Sequence, residues 1–144
     1  MARPTPELLD PARYRHRIEV TSRFADLDPN DHINNVAMAA MIEDARVRFA
    51  LGAGLKPDRS PGGRRFVVAA IEINYLAQAH FPDPLVCLAA PVATGRTSWT
   101  LHQLLMQNDR AVATARSVMV VTVDDQPVPL GADMLAALAP WMLQ

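Results

Sequence analysis

The chain has 144 residues, half of them hydrophobic and a fifth charged, with a net charge of −1. This length and composition are typical of one ordinary globular domain. No basic run interleaved with aromatic residues occurs, which argues against a nucleic-acid-binding protein. The single cysteine, Cys87, excludes a disulfide within the chain and argues against a cysteine-based zinc site. Its apolar neighbours predict a buried, unreactive thiol.

The start of the chain gives no sign of a targeting segment. Residues 1–14 contain prolines and charges but lack the apolar core of a signal peptide. No uncharged apolar stretch approaches the roughly 18 residues that a membrane-spanning helix needs. We therefore expect a cytoplasmic protein without a membrane partner.

A loose arm and a half-buried strand are predicted first. Residues 1–12 contain three prolines, which favours an irregular N-terminal arm. From Arg15 to Phe24, apolar residues such as Ile18 and Val20 alternate with charged ones such as Arg17. A period of two predicts a strand with one buried face.

A polar turn and a long helix follow this strand. Residues 26–35 contain three aspartates, one histidine and several asparagines. Asn34 or Asn35 can cap a helix that runs to about Leu51 and ends at the glycines beyond it, Gly52 and Gly54. Residues 36–42 carry no polar side chain, which predicts a helix start that is buried on all sides. Such a turn could hold a carbonyl oxygen on backbone N–H groups and aim a carboxylate at the carbonyl carbon.

The second half of the chain is predicted to be mostly strands. A loop rich in glycine, proline and charge covers Lys56 to Arg65. Four strand-like runs follow, about Phe66 to Leu76, Pro84 to Ala93, Ser98 to Gln107 and Ala111 to Val123. Asn108-Asp109 is a candidate two-residue hairpin turn, and a short closing helix is expected over about Ala132 to Leu138.

These elements predict an α+β fold, a five-stranded antiparallel sheet wrapped around one long central helix, over residues 1–144 as a single domain. The last strand carries apolar side chains on both faces, with Val118 and Val120 on one and Met119 and Val121 on the other. One long helix cannot cover two apolar faces, so we expect a homodimer or a larger homo-oligomer.

Several types of site compete for the polar turn. A solvated loop whose polar side chains serve only turns and a cap is the simplest alternative. In a calcium loop, Asp26, Asp28 and Asn30 would match the first three ligands, but Asp31 replaces the required glycine and Ala37 the bidentate glutamate.

The sequence gives less support to a metal site, a phosphatase site, or a serine or cysteine nucleophile. A metal site built on His32 stays open, although the other histidines, among them His80 and His102, lie in distant segments. An Asp-x-Asp phosphatase would need alternating helices and strands. No Gly-x-Ser-x-Gly elbow occurs, and Cys87 lacks an activating neighbour.

The motif at the turn resembles a known family. Asp28-Pro29-x-x-His32-Ile33-Asn34-Asn35, followed by Glu43-Asp44-Ala45-Arg46, resembles the acyl-CoA thioesterases of the hotdog fold, in particular the 4-hydroxybenzoyl-CoA thioesterase branch. The resemblance extends from about Tyr14 to Asp124 and includes weaker matches at Asn74-Tyr75 and at Gly95-Arg96-Thr97-Ser98.

The resemblance implies roles for individual residues. Asp28 would be the catalytic carboxylate, either as nucleophile on the thioester or as base for water, and the backbone N–H of Asn35 would bind the oxyanion. His32 and Asn34 would contact the substrate. The CoA portion would lie near three residues of a later turn, Arg96, Thr97 and Ser98.

The resemblance also implies a homodimer or homotetramer with active sites between subunits. Its substrate would be an acyl-CoA or an acyl-carrier thioester, with no metal and no cofactor besides the CoA of the substrate. Glu43 and Arg46, three residues apart on one helix face, could form a structural pair.

Two departures from the family pattern bear on substrate and rate. Asp31 replaces the usual glycine, and a second acid there could repel an anionic substrate. Met38 stands where tyrosine is frequent, which removes a hydroxyl.

Two alternatives to hydrolysis stay open. The hotdog-fold hydratases carry four residues between their acid and their histidine, whereas Asp28 and His32 are separated by three. A protein that binds an acyl thioester or another lipid without turnover is the second alternative.

Overall fold

The chain folds as one antiparallel sheet that curls around a long helix. A computed structural model describes residues 3–144. Its strands are β1 (His16–Val20), β2 (Arg65–Tyr75), β3 (Leu85–Thr94), β4 (Ser98–Gln107), β5 (Arg110–Val123) and β6 (Gln126–Pro127), and its helices are α1 (Asn35–Gly52) and α2 (Ala132–Leu138). The sheet order is β1-β3-β4-β5-β2, with the two-residue β6 beside β5. This arrangement confirms the predicted hotdog fold.

The first strand is shorter than predicted. Its residues alternate between the two faces of the sheet as expected, but β1 ends at Val20 and residues 24–26 form a 3₁₀ turn. The turn closes because the carboxylate of Asp26 accepts hydrogen bonds from the backbone N–H and the guanidinium of Arg23, at 2.8 and 2.9 Å. Phe24, in this turn, is 76% exposed.

Paired left-handed residues make the hairpin turns at the end of the chain. Asn108 and Asp109, with φ of 50° and 61°, connect β4 to β5 as predicted. Asp124 and Asp125, with φ of 49° and 59°, make a second turn of this kind and return the chain into β6. Positive φ at both central residues is the requirement of a type I′ turn, which asparagine and aspartate tolerate. This second hairpin is not among the turns predicted from the sequence.

The long helix is buried along one face only. Met38, Met41, Ile42 and Phe49 are buried between α1 and the sheet. The prediction that residues 36–42 are buried on all sides is wrong for a single chain, because Val36 is 73% exposed and Ala40 also faces outward. Apolar residues on both sides of α1 therefore leave an uncovered apolar stripe.

The N-terminal arm is not loose. Met1 and Ala2 lie outside the described residues, but residues 6–9 and 11–13 form 3₁₀ turns. Leu9 and Tyr14 pack on the outer face of the sheet against Leu88 and Leu104. The arm and Leu143 thus cover part of the outer face that we had assigned to a partner subunit. No helix within residues 3–144 combines the length and the apolarity needed to cross a bilayer.

Candidate active site

Asp28 organises the polar turn through its own side chain. Its Oδ1 accepts hydrogen bonds from the backbone N–H of Asn30 at 2.9 Å and of His32 at 3.1 Å. The backbone N–H of Asp28 donates to the carbonyl of His32 at 2.8 Å. Within residues 3–144, the second carboxylate oxygen, Oδ2, has no hydrogen-bond partner. The carboxylate is therefore held in one orientation and keeps one oxygen free for chemistry.

The unusual residue of the motif, Asp31, lies at the tightest point of this turn. Its φ is 61°, in the left-handed region, and its N–H donates to the carbonyl of Asp28 at 3.0 Å. Glycine adopts this conformation without strain, and aspartate is one of the few other residues that tolerate it. The backbone explains why a glycine is usual in the motif and why aspartate can replace it.

Asn34 is the N-cap of α1, as predicted. Its Oδ1 accepts from the N–H of Ala37 at 2.7 Å, and its Nδ2 donates to the carbonyl of Asp26 at 2.8 Å. Both ends of the amide are thus bound to the backbone. The side chain therefore joins the polar turn to the helix.

Asn35 begins the helix and presents a free donor. Within residues 3–144 its backbone N–H has no acceptor, as expected for the first turn of a helix. Its carbonyl accepts a hydrogen bond of 2.9 Å from the hydroxyl of Tyr75 at the end of β2. The helix start is therefore fixed to the sheet edge as well as to the polar turn.

These groups line one cleft of about 420 Å³. Its lining includes Asp28 and His32 of the turn, Asn35 and Met38 of α1, and Tyr75 of β2. A carboxylate and the positive end of a helix dipole thus border the same space, which suits a reaction that builds negative charge on a carbonyl oxygen.

A second histidine, His80, which is distant in sequence, packs against His32. The ring of His80 lies 5.3 Å, centroid to centroid, from that of His32, at an interplanar angle of 73°. The buried side chain of Gln107 holds the backbone of His80 by hydrogen bonds to its N–H and its carbonyl, both 2.8 Å. No sequence signal links His80 to the motif, because the contact depends on the neighbouring β4.

Asp26 and the Glu43–Arg46 pair have structural roles. The hydrogen bond from the Arg23 guanidinium lowers the pKa of Asp26, which is 7% exposed. Arg46 Nη2 lies 3.6 Å from Glu43 Oε1, which confirms the predicted pair. No group of three or more potential metal ligands occurs among residues 3–144. Burial raises the pKa of the Cys87 thiol to about 12, in agreement with an unreactive cysteine.

The segment expected near CoA lies at the other end of the sheet. Ser98 pairs with Val120, which pairs with Val67, whereas Tyr75 at the cleft is eight residues further along β2. At about 3.4 Å per residue, the two ends are separated by about 27 Å. The structure therefore brings Asp28, His32 and Asn35 together, but Arg96, Thr97 and Ser98 lie far from them within one chain.

Comparison with known proteins gives a consistent family. The sequence profile of the Thioesterase superfamily matches residues 30–114. A thioesterase from Thermus thermophilus in complex with coenzyme A and Zn is 26% identical, with a TM-score of 0.76 over 89% of this chain and 95% of that one. A predicted thioesterase from Bacillus stearothermophilus is also 26% identical, with a TM-score of 0.78 over 89% and 96%. A Pseudomonas aeruginosa protein shares the fold, with a TM-score of 0.81 at 21% identity over 92% and 95%. No curated protein matches significantly.

Proposed function

The chain belongs to the Thioesterase superfamily and is a thioester hydrolase, and we propose that it hydrolyses an acyl-CoA in the cleft beside Asp28. The observation that carries this proposal is the juxtaposition of the free Oδ2 of Asp28 and the unpaired N–H of Asn35. A solved thioesterase with the same fold was obtained with coenzyme A bound, which supports CoA as the carrier.

In the proposed reaction, Oδ2 of Asp28 takes a proton from water while the water oxygen attacks the thioester carbonyl carbon. The carbonyl oxygen becomes an oxyanion that accepts a hydrogen bond from the N–H of Asn35, an effect worth roughly 3–4 kcal/mol for one good donor. Collapse of this intermediate breaks the C–S bond, and the leaving thiolate takes up the proton from Asp28. The products are a carboxylic acid and free CoA, and no other cofactor takes part.

Direct attack by Oδ2 is the second route for the same carboxylate. The thiolate then leaves with its electron pair, and water opens the resulting mixed anhydride. The two routes differ in where oxygen from water is found. Turnover in ¹⁸O-labelled water places label in the protein only when Asp28 has formed the anhydride and water attacks its carboxyl carbon.

The Asp28→Asn variant tests the proposed role most directly. The amide oxygen of asparagine can still accept both turn hydrogen bonds, so the fold should persist while the base or nucleophile is lost. We expect thiol release to fall by about 10²–10⁴-fold, the usual contribution of such a group. Asp31→Asn removes a neighbouring carboxylate and serves as the matched control. Wild-type activity in Asp28→Asn would contradict the proposal.

The same assay separates the two alternatives. A hydratase would add water to crotonyl-CoA without releasing thiol. A binding protein would show a calorimetric signal with an acyl-CoA and no turnover. Either result with the wild-type protein would replace hydrolysis of acyl-CoA as the function of this cleft.

We also propose that the active unit is a homodimer with its sites at the interface. β2 is an edge strand, and Ile71 on it is 46% exposed on the same face of the sheet as α1, whose Val36 is 73% exposed. In a second copy whose β2 runs antiparallel to this one, Arg96 to Ser98 would approach the Asp28 cleft. This pairing would restore the CoA contact expected from the resemblance.

Ile71→Lys tests the dimer, because it puts a charge into the middle of the exposed apolar strand. We expect this variant to sediment as a monomer and to lose thiol release, while Arg17→Lys on the opposite edge strand changes neither. A wild-type protein that is monomeric and fully active at the assay concentration would contradict the interface site.

A further inference from the structure

His80 packs its ring edge to face on the ring of His32, and only the second of these histidines is among the residues that line the active-site cleft. The ring centroids lie 5.3 Å apart and the ring planes are inclined by 73°, close to the edge-to-face geometry that aromatic pairs favour. No hydrogen bond between the two imidazoles occurs within residues 3–144, so the contact is one of ring packing. Any effect of His80 on the reaction at Asp28 therefore passes through His32.

The tip of the polar turn, residues 28–32, is restrained mainly from within. In the described part of the chain all of its hydrogen bonds are internal, and two of them end on Oδ1 of Asp28. The β-bridge between Leu27 and Ile33 closes the base of the tip, but it does not restrain the residues beyond it. The tip can therefore tilt as one piece on its base unless a side chain holds it in place. The ring contact with His80 supplies such a restraint.

His32 is coupled to Asp28 by two hydrogen bonds of its main chain. Its N–H donates to Oδ1 of Asp28 at 3.1 Å, and its carbonyl accepts from the N–H of Asp28 at 2.8 Å. The first bond orients the carboxylate, and the second fixes the main chain that carries it. A shift of His32 therefore turns the free oxygen Oδ2 relative to the helix start at Asn35, whereas a fixed His32 keeps their separation constant.

The main chain that carries His80 is firmly anchored, although the residue itself is exposed. The side chain of Gln107, 3% exposed, binds the N–H and the carbonyl of His80 at 2.8 Å each and the carbonyl of Asp83 at 2.9 Å. The carbonyl of Ala79 accepts a hydrogen bond of 2.9 Å from the N–H of Ile33. Satisfied buried polar networks of this kind rigidify a segment. His80 thus gives the tip of the turn a support that does not move with it.

We propose that His80 is a positioning residue for Asp28, an inference that rests on the proposed function. The ring of His80 holds the ring of His32, and the two main-chain bonds of His32 then keep Oδ2 of Asp28 directed at the attacking water or the thioester carbonyl carbon. When this support is lost, the tip tilts and the carboxylate spends less time in the reactive orientation. The effect falls on kcat, because a carboxylate out of position weakens stabilisation of the transition state and not binding of the ground state.

Two variants of His80 test whether its ring has this role. His80→Ala removes the ring and keeps the main-chain bonds to Gln107, so the fold should persist. Its kcat for an acyl-CoA should fall about 3–10-fold at unchanged KM, the range that one aromatic pair contributes. His80→Phe keeps an aromatic edge and should restore most of kcat. Phe81→Ala is the matched control, because it removes a neighbouring ring of the same loop that packs on Phe24, with centroids 6.0 Å apart, and not on His32.

Three kinetic results would overturn the positioning role: wild-type kcat in His80→Ala, an equal loss in His80→Phe, or an equal loss in Phe81→Ala. If the wild-type protein hydrolyses no acyl-CoA, the proposed function fails, and amide hydrogen exchange decides the positioning of the carboxylate by itself. The amides of Asn30 and His32, which donate to Oδ1 of Asp28, must then exchange about 3–10-fold faster in His80→Ala and at wild-type rates in Phe81→Ala. Equal exchange rates in His80→Ala and the wild type would overturn the support of the tip by this ring.

Discussion

Substitutions of Asp31 can separate two effects of this residue: the cost in stability of its positive φ, and the effect of its carboxylate on substrate binding. The residue has a φ of 61°, is exposed, and its side chain makes no hydrogen bond within residues 3–144. A β-carbon in the left-handed region costs about 1–2 kcal/mol, with aspartate at the low end because it tolerates this conformation. Glycine removes that cost but loses roughly 0.5–1 kcal/mol of conformational entropy on folding.

For Asp31→Gly the two effects nearly offset, and we expect a gain of about 0.5 kcal/mol in the free energy of unfolding, or a rise of about 2 °C in Tm. Asp31→Asn should stay within about 0.3 kcal/mol of the wild type, because asparagine also tolerates positive φ. Asp31→Ala should lose about 0.5–1 kcal/mol, since alanine keeps the β-carbon and has no polar group. Urea denaturation monitored by circular dichroism measures all three.

The same three variants report on charge. If the carboxylate of Asp31 repels anionic substrates, each of the three variants should have a lower KM for an acyl-CoA that carries a carboxylate on its acyl group. The KM for an acyl-CoA with a neutral acyl group should be unchanged. The order of stability Gly, Asn, Ala follows from the backbone alone. A glycine variant that is less stable than the alanine variant would refute the reasoning from φ.

Three further outcomes follow from contacts around the site. Gln107→Leu removes three hydrogen bonds to the backbone of the loop at His80, and urea denaturation should show a loss of about 2–4 kcal/mol. Gln107→Glu should lose at least as much, because its buried carboxylate would face the carbonyls of His80 and Asp83. Tyr75→Phe frees the carbonyl of Asn35, so kcat should fall by about 3–10-fold while Tm changes little, because the bond is exposed; an unchanged kcat would remove Tyr75 from the positioning of the helix start. Burial lowers the pKa of His102 to about 4, below its unfolded value of about 6.5, so the unfolded chain binds a proton that the folded chain does not. Stability should then be full above about pH 6.5 and fall by about 3 kcal/mol toward pH 4. In His102→Gln this part of the pH profile should flatten, and an equal slope in both proteins would assign it to other groups.

The strand and helix positions were predictable because local signals agree with the fold. The alternation of apolar and polar residues predicted the strands. Asn34, which precedes an apolar run, predicted the start of α1, and it is the N-cap of that helix. The errors arose where side chains fold back on the backbone. The bond between Arg23 and Asp26 ends β1 four residues before the predicted end, at Val20, and alternation carries no information about it.

The candidate site was predictable only where it is local in sequence. Asp28, His32 and Asn35 fall within eight residues of one another, so one turn brings them together. His80 is held beside His32 by the side chain of Gln107 on β4, and Tyr75 of β2 hydrogen-bonds to the carbonyl of Asn35. Contacts of this kind depend on which strands become neighbours, and this follows from the whole chain.

The uncovered apolar stripe of α1 connects the proposed hydrolysis with the proposed dimer, because it begins next to the proposed oxyanion donor. A single chain leaves Val36, one residue after the proposed oxyanion donor Asn35, 73% exposed, and water there screens the field of the helix end. Covering this stripe with a second copy would remove that water without moving Asp28. Because α1 is apolar on both sides, a single chain exposes hydrophobic side chains such as Val36. The proposed dimer would cover this surface, and by excluding water it would strengthen the hydrogen bond that the N–H of Asn35 donates to the oxyanion.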